Sequence, residues 1–146
     1  MEKINEIAEI KEKTSALIIK EFTKDGVMMQ NNSTGEARGK YHANHVETAD
    51  VKLKMDGTME WEVRAMETTK EGDVVMITGA GTGKQEKAME ASFKGEVIYM
   101  TNSAKLNWLN NQKGYVEGMT DQKNGESSMK IYAEKPQATV AVPTPM

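Results

Sequence analysis

From Val51 to Val63 the chain alternates strictly. Val51, Leu53 and Met55 are apolar, as are Met59, Trp61 and Val63, and charged residues fill most of the places between them. Period two marks a strand with one buried face, and an Asp-Gly break between two such runs is a strong hairpin signal. A two-residue loop at Asp56-Gly57 would set Leu53 against Glu60 and mix the two faces. A three-residue loop, Met55-Asp56-Gly57, avoids that mixing and puts Gly57 at the left-handed position of a type I turn with a G1 bulge. The predicted register pairs Leu53 with Met59, Val51 with Trp61 and Lys52 with Glu60.

Similar turn chemistry recurs along the chain at Asp25-Gly26, Asn31 to Gly35, Glu71-Gly72-Asp73, Asn110 to Gly114 and Asn124-Gly125. The β-rich runs between these turns fall at about 15–23, 36–48, 49–55, 58–67, 73–79, 90–101, 105–109, 114–120 and 127–134. Their number and spacing predict an all-β fold, an antiparallel meander closed or nearly closed into a barrel, with a β-sandwich as the alternative. Ile4, Ile7, Ala8 and Lys11 are spaced more like one face of a short N-terminal helix than like a strand. Residues 1–134 are expected to form a single antiparallel domain. Residues 135–146 hold three prolines without periodicity and are expected to be a disordered tail.

Composition narrows the function classes. The 146 residues carry a formal charge of −3, with Lys and Glu interleaved and no basic block, which argues against a nucleic-acid partner. The absence of cysteine removes disulfides, zinc–thiolate sites and a Cys nucleophile. No apolar run approaches the length of a membrane span and no signal-peptide pattern opens the chain, so no membrane insertion and a cytoplasmic location are expected.

Two stretches carry candidate chemistry. Asp73 to Lys84 resembles a strand entering a phosphate-binding loop, but Thr78 stands where the P-loop needs glycine and Gln85 where it needs a hydroxyl. Gly79, Gly81 and Gly83 share one face of an extended strand, where they would admit a bend or a bulky neighbour such as Trp61. In Tyr41 to Thr48, which holds both histidines, His42 and His45 point to opposite faces of a strand, whereas His45 and Glu47 point together. Without a bulge these two continue the face of Val51 and Leu53, which makes them a buried polar pair suited to acid–base work. They fall short of the three protein ligands usual for a metal, so neither a metal nor another cofactor is expected. Arg64 shares the charged face of its strand with Glu60 and Glu62 and reads as a solvated cross-strand partner. Lys105 to Asn110 permits a helical turn or a strand end. The twelve methionines fill space where Phe is scarce, and could also line an adaptable cavity.

The series Gly39-Lys-Tyr, Glu47-Thr48, Asp56-Gly-Thr-Met-Glu-Trp, Thr78-Gly-Ala-Gly-Thr-Gly, Phe93-Lys-Gly and Lys105-Leu-Asn-Trp-Leu-Asn resembles a family of small bacterial and archaeal proteins of unassigned function. The resemblance covers about residues 14 to 134 and implies a shared fold. The pattern is also loosely similar to calycin-like and allene-oxide-cyclase-like barrels, which implies glycine-rich antiparallel strands around an apolar cavity. Three functions are then in play. One is a barrel that binds a small apolar or amphipathic molecule, with Trp61, Val63, Ile77 and Tyr99 as lining and His45 and Glu47 as polar anchors. Another is an isomerase- or lyase-type enzyme using His45 and Glu47 as catalytic residues. The third is a homo-oligomeric interaction module that associates through an open sheet edge or an outer face such as Ile98 and Met100.

Overall fold

A computed structural model describes residues 5–136. Eight strands follow one another: β1 (Glu6–Thr23), β2 (Gly26–Gly39), β3 (His42–Lys54), β4 (Thr58–Thr69), β5 (Val74–Lys87), β6 (Glu90–Thr101), β7 (Lys113–Asp121) and β8 (Glu126–Tyr132). Each pairs antiparallel with its neighbour in sequence, and β8 returns to β1 to close the barrel. The expected meander is therefore a closed barrel. The disordered tail assigned to 135–146 falls largely outside the described residues.

The β3–β4 hairpin has the register its alternation dictates: Leu53 opposes Met59, Val51 opposes Trp61 and Lys52 opposes Glu60. The Gly57 N–H bonds the Lys54 carbonyl at 3.0 Å, and Gly57 takes φ +90°, where a Cβ would be strained. No bulge interrupts β3, so the inward face runs unbroken from His45 through Glu47 and Ala49 to Val51 and Leu53.

Four expectations are corrected. Residues 6–12 are the start of β1 and not a helix. Ala8, Ile10 and Glu12 point inward at period two, but a carboxylate in the third place and a bulge beside Ile7 hid that alternation. Asn31 to Gly35 lies in the middle of β2 and is not a turn. Asn32 is satisfied within the sheet, where Thr48 Oγ1 donates to its Oδ1 at 2.8 Å, and Gly35 lets β1 pass close by. The run expected at 36–48 is broken at Lys40 and Tyr41, whereas β3 continues without a break from 48 to 49. Of the two readings of Lys105 to Asn110 the helical turn holds: residues 107–109 form a 3-10 turn, and the β run drawn at 105–109 does not form.

That turn, with Leu106 and Leu109 buried, helps plug one end of the barrel together with Tyr41, Ala43, Val75 and Tyr99. The other half of the interior is shaped by glycine. Trp61 opposes Gly81, which opposes Gly95 on β6, and a Cβ on either glycine would fall within 2.4–2.6 Å of Trp61 Cζ2. The indole fits a slot cut by two missing side chains and meets Phe93 edge to face at 6.2 Å. The loop-like stretch at 73–84 is thus strand β5, its glycines accommodating bulky neighbours. On the outer wall, Val46, Met66, Met76 and Met100 form an exposed cross-strand row beside Ile98. Among the described residues no helix is long and apolar enough to cross a membrane.

Candidate functional site

Above the plugged end the barrel encloses a cavity of about 290 Å³ that reaches the rim formed by the β1–β2, β3–β4, β5–β6 and β7–β8 turns. Most of its wall is apolar: Ile10, Ala49, Trp61, Ala65, Phe93 and Val116 are representative. Of the residues expected to line a ligand site, Trp61, Val63 and Ile77 face this cavity. Tyr99 does not. It is fully buried in the plug, where its hydroxyl finds no hydrogen-bond partner of good geometry.

His45 and Glu47 both line the cavity and touch: His45 Nε2 lies 2.7 Å from Glu47 Oε1. Three residues that the sequence reading did not assign complete the cluster. Glu67, fully buried behind the imidazole, bonds His45 Nδ1 at 2.7 Å through Oε2 and accepts the Tyr41 hydroxyl through Oε1. Glu12, from β1, brings Oε1 to 3.4 Å from His45 Nε2. The imidazole is therefore fixed at both nitrogens, with a backing carboxylate on the plug side and two carboxyls on the cavity side. Glu12 and Glu67 were legible in principle. Glu67 continues the inward parity of Trp61, Val63 and Ala65, and Glu12 continues that of Ile10, but neither breaks its pattern in a way that a solvent-facing Glu does not.

Crowding three carboxyls around one imidazole in an apolar interior shifts protonation strongly. Burial, with the Glu47 charge and a hydrogen bond to it, pushes Glu12 up to about 9. Burial opposes charge on His45, but its hydrogen bonds and attraction to Glu47 and Glu67 outweigh that and raise it to about 10. Burial, then the nearby Tyr99 and Glu67, push the Tyr41 phenol far up, so it stays a donor. At neutral pH the site thus holds a proton on Glu12 and an imidazolium on His45. Two polar atoms facing the cavity are buried without a hydrogen-bond partner, Glu12 Oε1 and Asn31 Oδ1. Such atoms are costly unless something binds them.

Glu12, His45 and Glu47 present ligand atoms within 4.8 Å of one another, close enough for a divalent cation to gather. The 2.7 Å from Nε2 to Glu47 is proton-sharing distance, however, and a bound ion would have to part the two atoms. Other candidates stay outside the site. Arg64 pairs with Asp50 at 2.9 Å on the outer wall, and His42 is exposed near Glu36.

The fold and site define an eight-stranded antiparallel barrel with a blind apolar cavity and a polar, titratable wall. Solved structures share that fold at low sequence identity. A protein with unknown function from Clostridium acetobutylicum superposes with a TM-score of 0.78 at 14% identity, covering 90% of this chain and 98% of its own. A β-barrel like protein from Acinetobacter baumannii gives 0.72 at 16%, covering 89% and 94%. An enzyme from Penicillium herquei gives 0.59 at 16%, covering 90% and 98%. No family model matches the chain, and no curated protein sequence does.

Proposed function

We propose that the protein is an acid–base enzyme of isomerase or lyase type acting on a small, neutral, apolar or amphipathic molecule held in the barrel. The observation that carries this reading is the placement of Glu12, His45 and Glu47 together on the cavity wall, with one Glu12 oxygen unpartnered. A cavity that only stored an apolar ligand would gain nothing from three buried carboxyls around an imidazole, and such a cluster burdens the fold.

In an isomerisation the Glu47 carboxylate takes a proton from one position of the substrate while protonated Glu12 delivers one to another. The proton gained by Glu47 then returns to Glu12 past His45, which lies against both. Glu67, itself held by Tyr41, fixes the imidazole so that Nε2 stays turned to the two carboxyls. In a lyase reaction Glu12 protonates the leaving group instead. With Glu12 neutral, two carboxylates still outnumber the one imidazolium, so anionic substrates are disfavoured, and Asn31 Oδ1 is available to a donor group on the ligand. The similarity to an enzyme from Penicillium herquei is consistent with chemistry on this fold.

The test is deuterium exchange. The protein is incubated in D₂O with a panel of neutral cyclic ketones and enones, and label at the α and γ carbons is read by NMR. Catalysed labelling that Glu47→Gln and Glu12→Gln each suppress is the expected result. Labelling unaffected by both substitutions, or none while the neutral probe N-phenyl-1-naphthylamine fills the cavity, would leave a binding protein without catalysis. Labelling that requires added Mn²⁺ or Zn²⁺ and stops on chelation would reassign the cluster as a metal centre.

A further inference from the structure

β1 outruns its closing partner. Its pairing with β8 ends at Lys13 opposite Glu126, and the Thr14 N–H then bonds the Gly125 carbonyl at 2.7 Å. From Ser15 to Thr23 the strand pairs only with β2 among the described residues, so one row of its backbone donors and acceptors has no protein partner. The β1–β2 hairpin therefore stands beyond the β7–β8 turn as an overhang beside the cavity mouth. Bulges at Ser15 and Lys20 set its facing: Leu17 opposes Asn31, Ile19 opposes Met29 and Phe22 opposes Val27. Leu17, Asn31 and Met29 line the cavity, so the inward face of the overhang is continuous with the cavity wall.

The inward face of this overhang is apolar, and Ile18 adds an exposed apolar side chain to the outward face, where it opposes Gln30. Leu17 (56% exposed), Ile18 (48%), Ile19 (55%) and Phe22 (72%) lie on it, and Met55 (77%) sits against its turn. At roughly 200 Å² for a fully exposed large side chain, these five present about 600 Å², three-quarters of the ~800 Å² that one partner contributes to a standard interface. An open, apolar strand edge is what monomeric sheets avoid.

We propose that this hairpin is the contact surface for a second copy of the chain, joined edge to edge through β1 about a two-fold axis. The occupant is chosen by self-complementarity. An unpaired antiparallel edge is satisfied by another of the same kind, and antiparallel pairing sets Lys20 of one copy beside Glu21 of the other, twice over. The apolar inner faces then meet above the cavity mouths, so each copy completes the wall of its partner's cavity. The row of Val46, Met66, Met76 and Met100 is also exposed, but the backbone there is fully paired and offers only side chains.

Sedimentation velocity on the full chain from low to high micromolar concentration decides the question, alongside hydrogen exchange on residues 15–23. The expected result is a dimer whose β1 amides are protected and lose protection on dilution. Phe22→Asp, and independently Ile18→Lys on the other side of the hairpin, should each raise the dissociation constant by roughly thirtyfold or more, the effect of removing a central contact. A Met66→Lys/Met100→Lys variant should leave it unchanged. Near-UV circular dichroism of each variant establishes that the barrel is intact, and Ile18→Lys carries the test if Phe22→Asp does not fold. A monomer at every concentration overturns the proposal, as does a dimer that the methionine variant dissolves and both β1 variants leave intact.

Discussion

Glu12→Gln should make the protein more stable while removing its chemistry. Glu12 holds its proton to about pH 9 in the folded barrel, against an ordinary value of 4.5 in the unfolded chain. Between those values the folded state binds more protons than the unfolded one, so stability falls as pH rises, by up to about 1.4 kcal/mol per unit from this group. At pH 7 the accumulated loss is about 3 kcal/mol. Gln is neutral in both states and close in shape, and its amide can still donate to Glu47, so the variant is spared that loss. Its stability should exceed the parent's by about 3 kcal/mol at pH 7, or ~10 °C in Tm, and should match it near pH 4.5. His45 titrates in the same direction. Its raised pKa contributes stability that is complete below pH 6.5 and is lost as pH climbs through about 10. That contribution is present in both proteins, and because the two groups interact, the difference between the proteins reports Glu12 together with its coupling to His45. Urea unfolding at pH values of about 5, 7 and 9 measures it. A Gln variant no more stable at pH 7, or a difference that does not widen with pH, would mean that Glu12 is ionised in the fold, and its role as the acid would go with it.

Other outcomes follow from the same geometry. Tyr41→Phe leaves Glu67 fully buried with one donor fewer, and should cost about 1–3 kcal/mol in urea unfolding while slowing deuterium exchange without abolishing it. Gly81→Ala places a Cβ 2.1 Å from the Lys94 carbonyl oxygen and 2.4 Å from Trp61 Cζ2, so the indole must leave its slot. A loss of at least ~1–3 kcal/mol and a red shift of Trp61 emission, read in a Trp108→Phe background, are expected. Ala65→Leu projects into open cavity and should abolish binding of N-phenyl-1-naphthylamine while changing stability by less than ~1.5 kcal/mol.

Much of this architecture is legible where one face is dry and the other wet. The β3–β4 register followed from parity plus one glycine, and the slot for Trp61 from the Gly79–Gly83 spacing, because both are local constraints. The first strand was misread because an inward Glu at position 12 makes a buried strand resemble a polar helix face. Asn31 to Gly35 was misread because turn-forming residues also suit a strand whose polar side chains bond its neighbours. His45 and Glu47 were found as a pair, since two residues on one strand share parity. Glu67 was within reach, because the predicted β3–β4 register, extended past Val51 and Trp61, sets it opposite His45. Glu12 was not, because it meets His45 only across β2, where Gly35 leaves the space between them open.

The seam of the barrel ties this site to the order of folding. Seven of the eight strand pairings are hairpins between neighbours in sequence, whereas β1 and β8 come from opposite ends of the chain and pair only after the longest loop has closed. Glu12 sits in that seam, opposite Ser127. Before closure it lies on an exposed edge, where water keeps it ionised at neutral pH, and after closure it is buried and protonated. Completing the barrel is thus coupled to proton uptake at Glu12. The final folding step should slow as pH rises, and each opening of the seam gives the site a chance to exchange its proton with water.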